Sequence, residues 1–337
     1  MTSAMFSMAP VVPPPWEKAV VTSGAGFLGS HLCERLLDAG VDVDCVDDVP
    51  AASAHNVEHL AGHPGFRYLE RDIARPGCPG TLAGPYDLVL HPACPAPRAV
   101  FAPRPSNPPD AGTRGTRNAL ALADRDGARF LLVSTCHAGA HPGGDRPVPD
   151  GGSQRFSEAL TTAFVSARET DAGIVRLFPA YGPRMAPDDG PLIPDLVRQA
   201  LSGGPVTIPG DGSRRPSLCY VDDTVEGVLL VAASRSVRPV DIGGEPTATV
   251  EEIARRVLDL TGSDARLEFT GAHDDAAAAE QLGPQTGFAH EIFGWTPKVS
   301  LGDGLKRTVA DLIDRPARSG PWNVPSAEGG VHRACSW

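Results

Sequence analysis

The stretch Thr22-Ser-Gly-Ala-Gly-Phe-Leu-Gly29 decides the fold of this chain. An apolar run at 19–22 precedes it, typical of a buried strand, and a helical pattern over 28–39 follows it. Glycines at this spacing between a strand and a helix let the backbone approach a pyrophosphate, and the helix N-terminus offers its amides to that group. We therefore predict a dinucleotide cradle that comprises Gly24, Gly26, Phe27, Leu28 and Gly29. A glycine-rich turn without a ligand is the alternative interpretation.

Two aspartates extend this prediction to the nucleoside. Asp47 ends the second predicted strand, 18 residues beyond Gly29. A carboxylate there accepts hydrogen bonds from ribose hydroxyls and repels a 2′-phosphate, so the pattern favours NAD over NADP as cofactor. Asp72 follows the third predicted strand, where it either contacts the adenine side of the cofactor or only forms a turn.

Strands alternate with helices along the first half of the chain. This order predicts an α/β fold with a Rossmann-like, doubly wound parallel sheet. From 179 onward turns become denser, which indicates a smaller C-terminal substrate lobe interleaved with the first domain. The predicted strands lie at 19–22, 41–47, 66–69, 87–91, 130–134 and 174–178, and the predicted helices at 28–39, 116–124, 154–168, 192–201, 222–233 and 250–260. The predicted parts are a disordered leader (1–17), the dinucleotide domain (18–178), the lobe (179–315) and a flexible tail (316–337).

Composition excludes several classes of protein. The net charge is -11 and no run of Lys or Arg occurs, so a nucleic-acid partner is not expected. Prolines interrupt the N-terminal apolar stretch, and no run of 18 apolar residues exists, so neither a signal peptide nor a membrane span is expected. The seven cysteines are scattered without CxxC spacing, which favours a reducing cytoplasm and argues against a metal site.

Several further stretches extend the pattern across about 20–305. They are Val21 to His31, Asp47-Asp48, His91-Pro-Ala-Cys-Pro-Ala-Pro97, Gly127 to Thr135, Tyr181-Gly-Pro-Arg-Met-Ala-Pro-Asp-Asp-Gly190, Gly210-Asp-Gly-Ser213, Cys219-Tyr-Val-Asp-Asp223 and Gly294-Trp-Thr-Pro-Lys-Val-Ser-Leu301. Together they resemble the extended short-chain dehydrogenase/reductase (NAD-dependent epimerase/dehydratase) family, and within it most the UDP-glucuronate decarboxylases. The resemblance implies that bound NAD oxidises a sugar C4 hydroxyl, that CO2 leaves the β-keto acid and that the ketone is reduced again. It also implies a homodimer that forms through long helices.

The chain departs from that family where protons are moved. Its four tyrosines and three lysines never form the Tyr-x-x-x-Lys pair. A phenol with a pKa near 10 acts as a base at neutral pH only when an ammonium and the nicotinamide charge stabilise its phenolate. An ungapped reading places Asp150 at the tyrosine position and Gln154 at the lysine position, and a shift of one helical turn gives Gln154 and Glu158. Neither register restores the pair, so ordinary hydride shuttling is disfavoured.

Other positions that the resemblance singles out are also changed. Ser23 replaces the first fingerprint glycine, Cys136 stands where the family has the strand-end Ser or Thr, and His137 replaces a glutamate. On the substrate side Pro179 replaces an asparagine, and Pro216 replaces an arginine that would contact a diphosphate, with Arg215 adjacent. The acidic segment 274–280 stands where relatives are basic. The remaining candidate substrate contacts are Cys94 and Arg184, whereas His91 is expected to be structural.

Three functional hypotheses remain open. The first is an enzyme of specialised metabolism with non-redox lyase, isomerase or cyclase chemistry at a crevice formed by Cys136, His137 and Asp150. The second is a UDP-glucuronate decarboxylase or epimerase in which another base, such as Asp150 or Glu158, replaces the tyrosine. The third is a binding or scaffold protein that has lost catalysis and pairs with an active relative.

Overall fold

The computed structural model describes residues 15–49, 54–92, 111–136, 151–168, 170–186, 192–271 and 284–314. Cys94, His137, Asp150, the acidic segment 274–280 and the tail 316–337 lie outside the described residues, as does most of the leader. The predictions made for those positions therefore stay predictions.

A seven-stranded, all-parallel sheet forms the centre of the structure. Its strands are β1 (Lys18–Thr22), β2 (Asp42–Asp47), β3 (Phe66–Glu70), β4 (Leu88–Pro92), β5 (Arg129–Thr135), β6 (Ala172–Leu177) and β10 (Val240–Ile242). The spatial order β10-β6-β5-β4-β1-β2-β3 reverses direction between β1 and β4. The predicted doubly wound sheet is confirmed. Its topological switch point lies between β1 and β4, and open α/β sheets bind ligands at the carboxyl ends of the strands at such a point.

Four short strands lie outside the central sheet. They form two parallel pairs, β7 (Ala180–Tyr181) with β9 (Cys219–Tyr220) and β8 (Val206–Ile208) with β11 (Leu267–Phe269). β10 comes after three of these strands in the chain, yet it pairs with β6 in the central sheet. The C-terminal part of the chain therefore returns to the first domain.

Eight α-helices are present among the described residues. They are α1 (Phe27–Asp38), α2 (Thr116–Asp126), α3 (Gly151–Arg168), α4 (Ile193–Ser202), α5 (Val221–Ala233), α6 (Val250–Thr261), α7 (Gly287–Phe293) and α8 (Leu301–Asp314). The six predicted helices are all found, and α7 and α8 are additional. Within the part of the chain that the structure describes, none of the helices is both long and apolar enough to cross a membrane.

Two hydrophobic clusters cover the two faces of the sheet. Leu36 of α1 and Val228 of α5 pack on one face, and Leu120 of α2 packs with Phe130 and Ile174 on the other. Strands buried on both faces explain why the sequence shows continuous apolar runs rather than alternation. This rigid sheet positions the loops at its carboxyl edge.

Candidate dinucleotide and substrate site

The glycine-rich loop between β1 and α1 folds tightly onto the end of β2. The amide of Gly24 donates to the Val46 carbonyl at 3.3 Å, and the amide of Gly26 donates to the Ser23 carbonyl at 3.2 Å. A Cβ at Gly29 would lie 2.7 Å from the Gly24 Cα, and a Cβ at Gly24 would lie 2.6 Å from the Cys45 sulfur. Both positions therefore require glycine, as a cradle that approaches a pyrophosphate does.

Ser23, where the resemblance places a glycine, has a backbone conformation that favours glycine. Its φ is 50°, in the left-handed region that an L residue occupies at a cost of about 1 kcal/mol. The side chain is exposed. Ser23 therefore strains the loop.

The N-terminus of α1 leaves its amides available. Gly26 is the N-cap, no side chain caps the helix, and its first turn contains no acidic residue. The half-buried side chains of Phe27 and Leu28 pack against the core and fix the direction in which the helix starts. Backbone donors and the positive end of the helix dipole suit an anionic diphosphate, so this segment fits the cofactor predicted from sequence.

Asp47 lies at the end of β2 and joins the loop to that strand. Its Oδ2 accepts a hydrogen bond from the Ala25 amide at 3.0 Å, and Oδ1 accepts one from the Val49 amide at 3.2 Å. Asp72 accepts from the Ala74 amide at 2.8 Å, the geometry of an Asx turn. Asp47 therefore lies beside the cradle. Of the two alternatives for Asp72, the structure shows the turn, and the contact with the adenine side of the cofactor stays a prediction.

All four tyrosines lie in described parts of the chain, and each contacts residues away from the end of β5 and the start of α3. The Tyr68 hydroxyl donates to the Val49 carbonyl, and the Tyr86 hydroxyl donates to Asp44. The rings of Tyr181 and Tyr220 pack against each other, with 5.7 Å between their centroids. Burial is the largest cause that raises the pKa of each of the four phenols above its usual value. They remain protonated at neutral pH, so folding does not supply a phenolate base in place of the missing pair.

The three lysines do not form a tyrosine–lysine pair in the folded chain either. Lys18 donates to the Ala83 carbonyl at 2.7 Å, and Lys298 pairs with Glu226 at 2.6 Å. Lys306 is exposed on α8. None of the three is joined to a tyrosine by a hydrogen bond within the described ranges.

The end of β5 and the first turn of α3 meet at the carboxyl edge of the sheet. There the Thr135 hydroxyl donates to Oε1 of Gln154, a side chain that is 3% exposed. Cys136 follows directly and is half-buried. Sequence reasoning missed Thr135, although a hydroxyl residue at the end of a strand that borders the switch point was a usable signal.

Glu158 lies one turn further along α3 and pairs with Arg176 of β6. The Arg176 guanidinium donates to both carboxylate oxygens, at 2.9 and 2.7 Å. This bidentate contact raises the pKa of Arg176. Because both oxygens of Glu158 accept from a cation, the geometry gives no support to Glu158 as a free base.

A buried line of polar side chains runs beneath this edge. His91 of β4 contacts the Thr22 hydroxyl through Nδ1 at 2.7 Å and the Thr116 hydroxyl through Nε2 at 3.2 Å. Burial lowers the pKa of His91 to about 4, so the imidazole is neutral at pH 7. The side chain is thus a structural histidine, as the sequence predicts.

The model of the NAD dependent epimerase/dehydratase family matches residues 19–243. The chain belongs to this family. It is 34% identical over 313 residues to UDP-glucuronic acid decarboxylase 4 of Arabidopsis thaliana, covering 88% of this chain and 69% of that protein. It is 31% identical over 309 residues to UDP-glucuronic acid decarboxylase 1 of Xenopus tropicalis, covering 87% and 71%.

Solved structures of two epimerases share the fold. UDP-glucuronic acid 4-epimerase from Bacillus cereus, in complex with UDP-glucuronic acid and NAD, has a TM-score of 0.73 at 24% identity and covers 88% of this chain and 99% of its own. UDP-glucose 4-epimerase from Thermotoga maritima, with UDP-glucose, has a TM-score of 0.73 at 25% identity and covers 88% and 98%. The predicted family membership and fold class are confirmed.

The candidate substrate residues of this epimerase/dehydratase family member are dispersed. Pro179 is half-buried after β6, and its carbonyl accepts from the Cys219 amide at 2.9 Å. Arg215 is half exposed and donates to the Thr247 carbonyl at 3.1 Å. Arg184 directs its guanidinium to Glu34 of α1. Their roles toward a substrate stay predictions, and for Arg184 such a role would require that the Glu34 pair open.

Proposed function

We propose that this protein binds NAD at the glycine cradle and a nucleotide sugar related to UDP-glucuronate in the crevice beside it. The crevice is the carboxyl edge of β1, β4, β5 and β6, the location of ligands in sheets of this topology. The observation that carries the proposal is the cradle itself, where Gly24 and Gly29 leave no space for a Cβ and Asp47 is fixed by the Ala25 amide.

Named parts of the chain would hold the cofactor. Backbone amides of the loop and of the first turn of α1 would face the diphosphate, and Asp47 would accept from the adenosine ribose, which favours NAD over NADP. NAD, when bound, supplies a hydride acceptor at its nicotinamide. The strained Ser23 is exposed in the same loop and adds a polar side chain at the approach to the cofactor.

The substrate class rests on the relatives. The decarboxylases align with 87–88% of this chain, and their names specify UDP-glucuronic acid. The match extends into the C-terminal part, the predicted substrate lobe. A nucleotide sugar is therefore the substrate class that the family supports, although Pro216 removes one cation that would contact its diphosphate.

Proton transfer would need a substitute for the phenol. Asp150 directly precedes α3 in sequence, four residues before Gln154, and is the candidate base. An ordinary carboxylate is a much weaker base than a phenolate, and loss of a well-matched acid or base removes roughly two to four orders of magnitude in rate. We propose a slow decarboxylase or epimerase in which Gln154 holds Thr135 and Asp150 accepts the proton.

The absence of a phenolate also favours a second candidate function. Non-redox lyase, isomerase or cyclase chemistry in specialised metabolism would use Cys136, His137 and Asp150 and would not require hydride transfer. An inactive binding or scaffold homologue is the third possibility. For each of the three we propose a cytoplasmic homodimer, and native mass spectrometry of the purified protein would report both its mass and any nucleotide that co-purifies.

Calorimetric titration with NAD tests the cradle. We expect saturable binding of NAD, binding of NADP at least tenfold weaker, and loss of NAD binding in Gly29→Ala, because the added methyl would meet backbone atoms of the loop. Gly62→Ala is the matched control, since nothing lies within 4 Å of its added methyl. Equal binding of NAD by wild type and Gly29→Ala would refute the assigned cradle.

Incubation with UDP-glucuronate and NAD tests the chemistry. Release of CO2 or formation of a 4-keto product or NADH, lost in Asp150→Asn and retained in Cys136→Ala, supports the redox proposal. Turnover of another substrate that survives removal of NAD and is lost in Cys136→Ala supports the non-redox candidate. Binding of NAD without turnover of any nucleotide sugar tested would support the scaffold candidate.

A further inference from the structure

Four buried side chains form a continuous line from the dinucleotide loop to α3. We call it the hydroxyl–imidazole chain, and it comprises Thr22, His91, Thr116 and Ser157. Each of these residues is 2% exposed or less. They come from β1, β4, α2 and α3, four elements that are distant in sequence. The line thus crosses the molecule just beneath the carboxyl edge of the sheet.

The carbonyl of Gly112 fixes the direction of these hydrogen bonds. It lies in the π-helical turn Ala111–Gly115 and can only accept. The Thr116 hydroxyl donates to it at 2.7 Å, and the Ser157 hydroxyl donates to it as well. Since the single proton of Thr116 is used there, its oxygen accepts from Nε2–H of His91, and Nδ1 of His91 accepts from the Thr22 hydroxyl.

The two ends of the chain reach the two halves of the proposed site. Thr22 lies two residues before Gly24, the first residue of the cradle. Ser157 lies three residues after Gln154, on the same side of α3. The Gly112 carbonyl, which accepts from both hydroxyls, joins Ser157 to Thr116, and the two hydroxyl oxygens are 3.0 Å apart. Gln154 in turn holds Thr135 at the end of β5.

We propose that the hydroxyl–imidazole chain positions α3, and with it Gln154 and Thr135, relative to the dinucleotide cradle. This inference rests on the proposed binding of NAD at that cradle. Its members are positioning residues, because none of them would touch a ligand. Ordering of the loop by NAD would pass through Thr22 and His91 to Ser157 and would stiffen the first turns of α3.

Hydrogen exchange measured by mass spectrometry on the full-length protein tests this coupling. In wild type we expect NAD to slow exchange of amides in 152–160 about fivefold, the factor that corresponds to one buried hydrogen bond. In Ser157→Ala, NAD should still bind by calorimetry and protect the cradle, but should leave exchange of 152–160 nearly unchanged. Thr22→Val, which removes the hydroxyl at the other end, should give the same result if Ser157→Ala folds poorly.

Two variants control for a merely structural effect. Thr161 lies one turn beyond Ser157 on α3, is 1% exposed, and its hydroxyl donates within its own helix, to the Ser157 carbonyl at 2.8 Å. Thr161→Ala should keep the wild-type response to NAD, and Ser157→Thr, which retains a hydroxyl, should restore it.

The outcomes separate this inference from the proposed function. NAD that binds and protects the cradle without affecting 152–160 in wild type would overturn the coupling alone. The coupling would also be overturned if NAD slowed exchange of 152–160 in both Ser157→Ala and Thr22→Val as much as in wild type. Failure of NAD to bind the wild type at all, seen by calorimetry, would overturn the proposed function and the inference together.

Discussion

Gln154 accepts a hydrogen bond from the Thr135 hydroxyl, and in the ungapped reading of the sequence Gln154 occupies the position of the family's lysine. An amide oxygen accepts the hydroxyl proton, whereas an ammonium could only donate to the oxygen. In that register, the replacement of lysine by Gln154 reverses the polarity of this contact. A threonine hydroxyl that donates to Gln154 has only its lone pairs left for a substrate hydroxyl.

Restoring the pair should restore hydride transfer. We expect the double variant Asp150→Tyr with Gln154→Lys to form NADH with UDP-glucuronate at a rate higher than wild type by roughly 100-fold or more, because a positioned acid/base contributes about that factor. Absorbance at 340 nm measures it. Gln154→Lys alone is the control and should remain slow, since it supplies the ammonium without the phenol. Equal rates in the double variant and in wild type would contradict the assigned register.

Relief of strain at Ser23 should stabilise the protein. Its φ of 50° favours glycine, so Ser23→Gly should raise the free energy of unfolding by up to about 1 kcal/mol. Ser23→Ala keeps a Cβ and should show no gain. Urea unfolding of the three proteins gives the comparison, and a gain in Ser23→Ala equal to that in Ser23→Gly would assign the effect to the hydroxyl instead.

The cradle was predictable from sequence, and the Thr135–Gln154 contact was not. Gly24, Gly26 and Gly29 act through local backbone geometry, which a short stretch of sequence records. The contact between Thr135 and Gln154 depends on how α3 docks on β5. β10 escaped prediction because three residues carry no clear period, and its place in the sheet is set by pairing with β6.

Arg184 shows the limit of reasoning from a motif alone. The motif Tyr181-Gly-Pro-Arg184 identified the family, yet the guanidinium contacts Glu34 and His59, and its backbone amide donates to Asp311 of α8 at 2.9 Å. Arg184 thus links α1 to α8. No local pattern could reveal those partners, because Glu34, His59 and Asp311 lie 150, 125 and 127 residues away in sequence.

The backbone conformation of Arg184 and its link between α1 and α8 predict an unusual order of variant stabilities. Arg184 has a φ of 72°, so Arg184→Gly should be more stable than Arg184→Ala by about 1 kcal/mol, the reverse of the usual order. Both should be less stable than wild type by about 1 kcal/mol or more, since the Glu34 pair is only partly exposed. Urea unfolding measures this, and a double-mutant cycle with Glu34→Gln isolates the pair. Wild-type stability with a selective loss of UDP-glucuronate affinity would support the substrate role instead.

The neutral His91 predicts that stability falls in mild acid. Burial lowers its pKa to about 4, below its usual 6.5, so between these values the unfolded chain binds a proton that the folded chain does not. The stabilisation is complete above pH 6.5 and is lost as the pH falls toward 4. From pH 7 to pH 5 we expect a loss of about 2 kcal/mol in the free energy of unfolding from this residue. His91→Gln should have a lower free energy of unfolding at pH 7, but it lacks the titrating imidazole. Its free energy of unfolding should therefore fall between pH 7 and pH 5 by about 2 kcal/mol less than that of wild type. Parallel pH dependences of wild type and His91→Gln in urea unfolding would show that other groups cause the acid sensitivity.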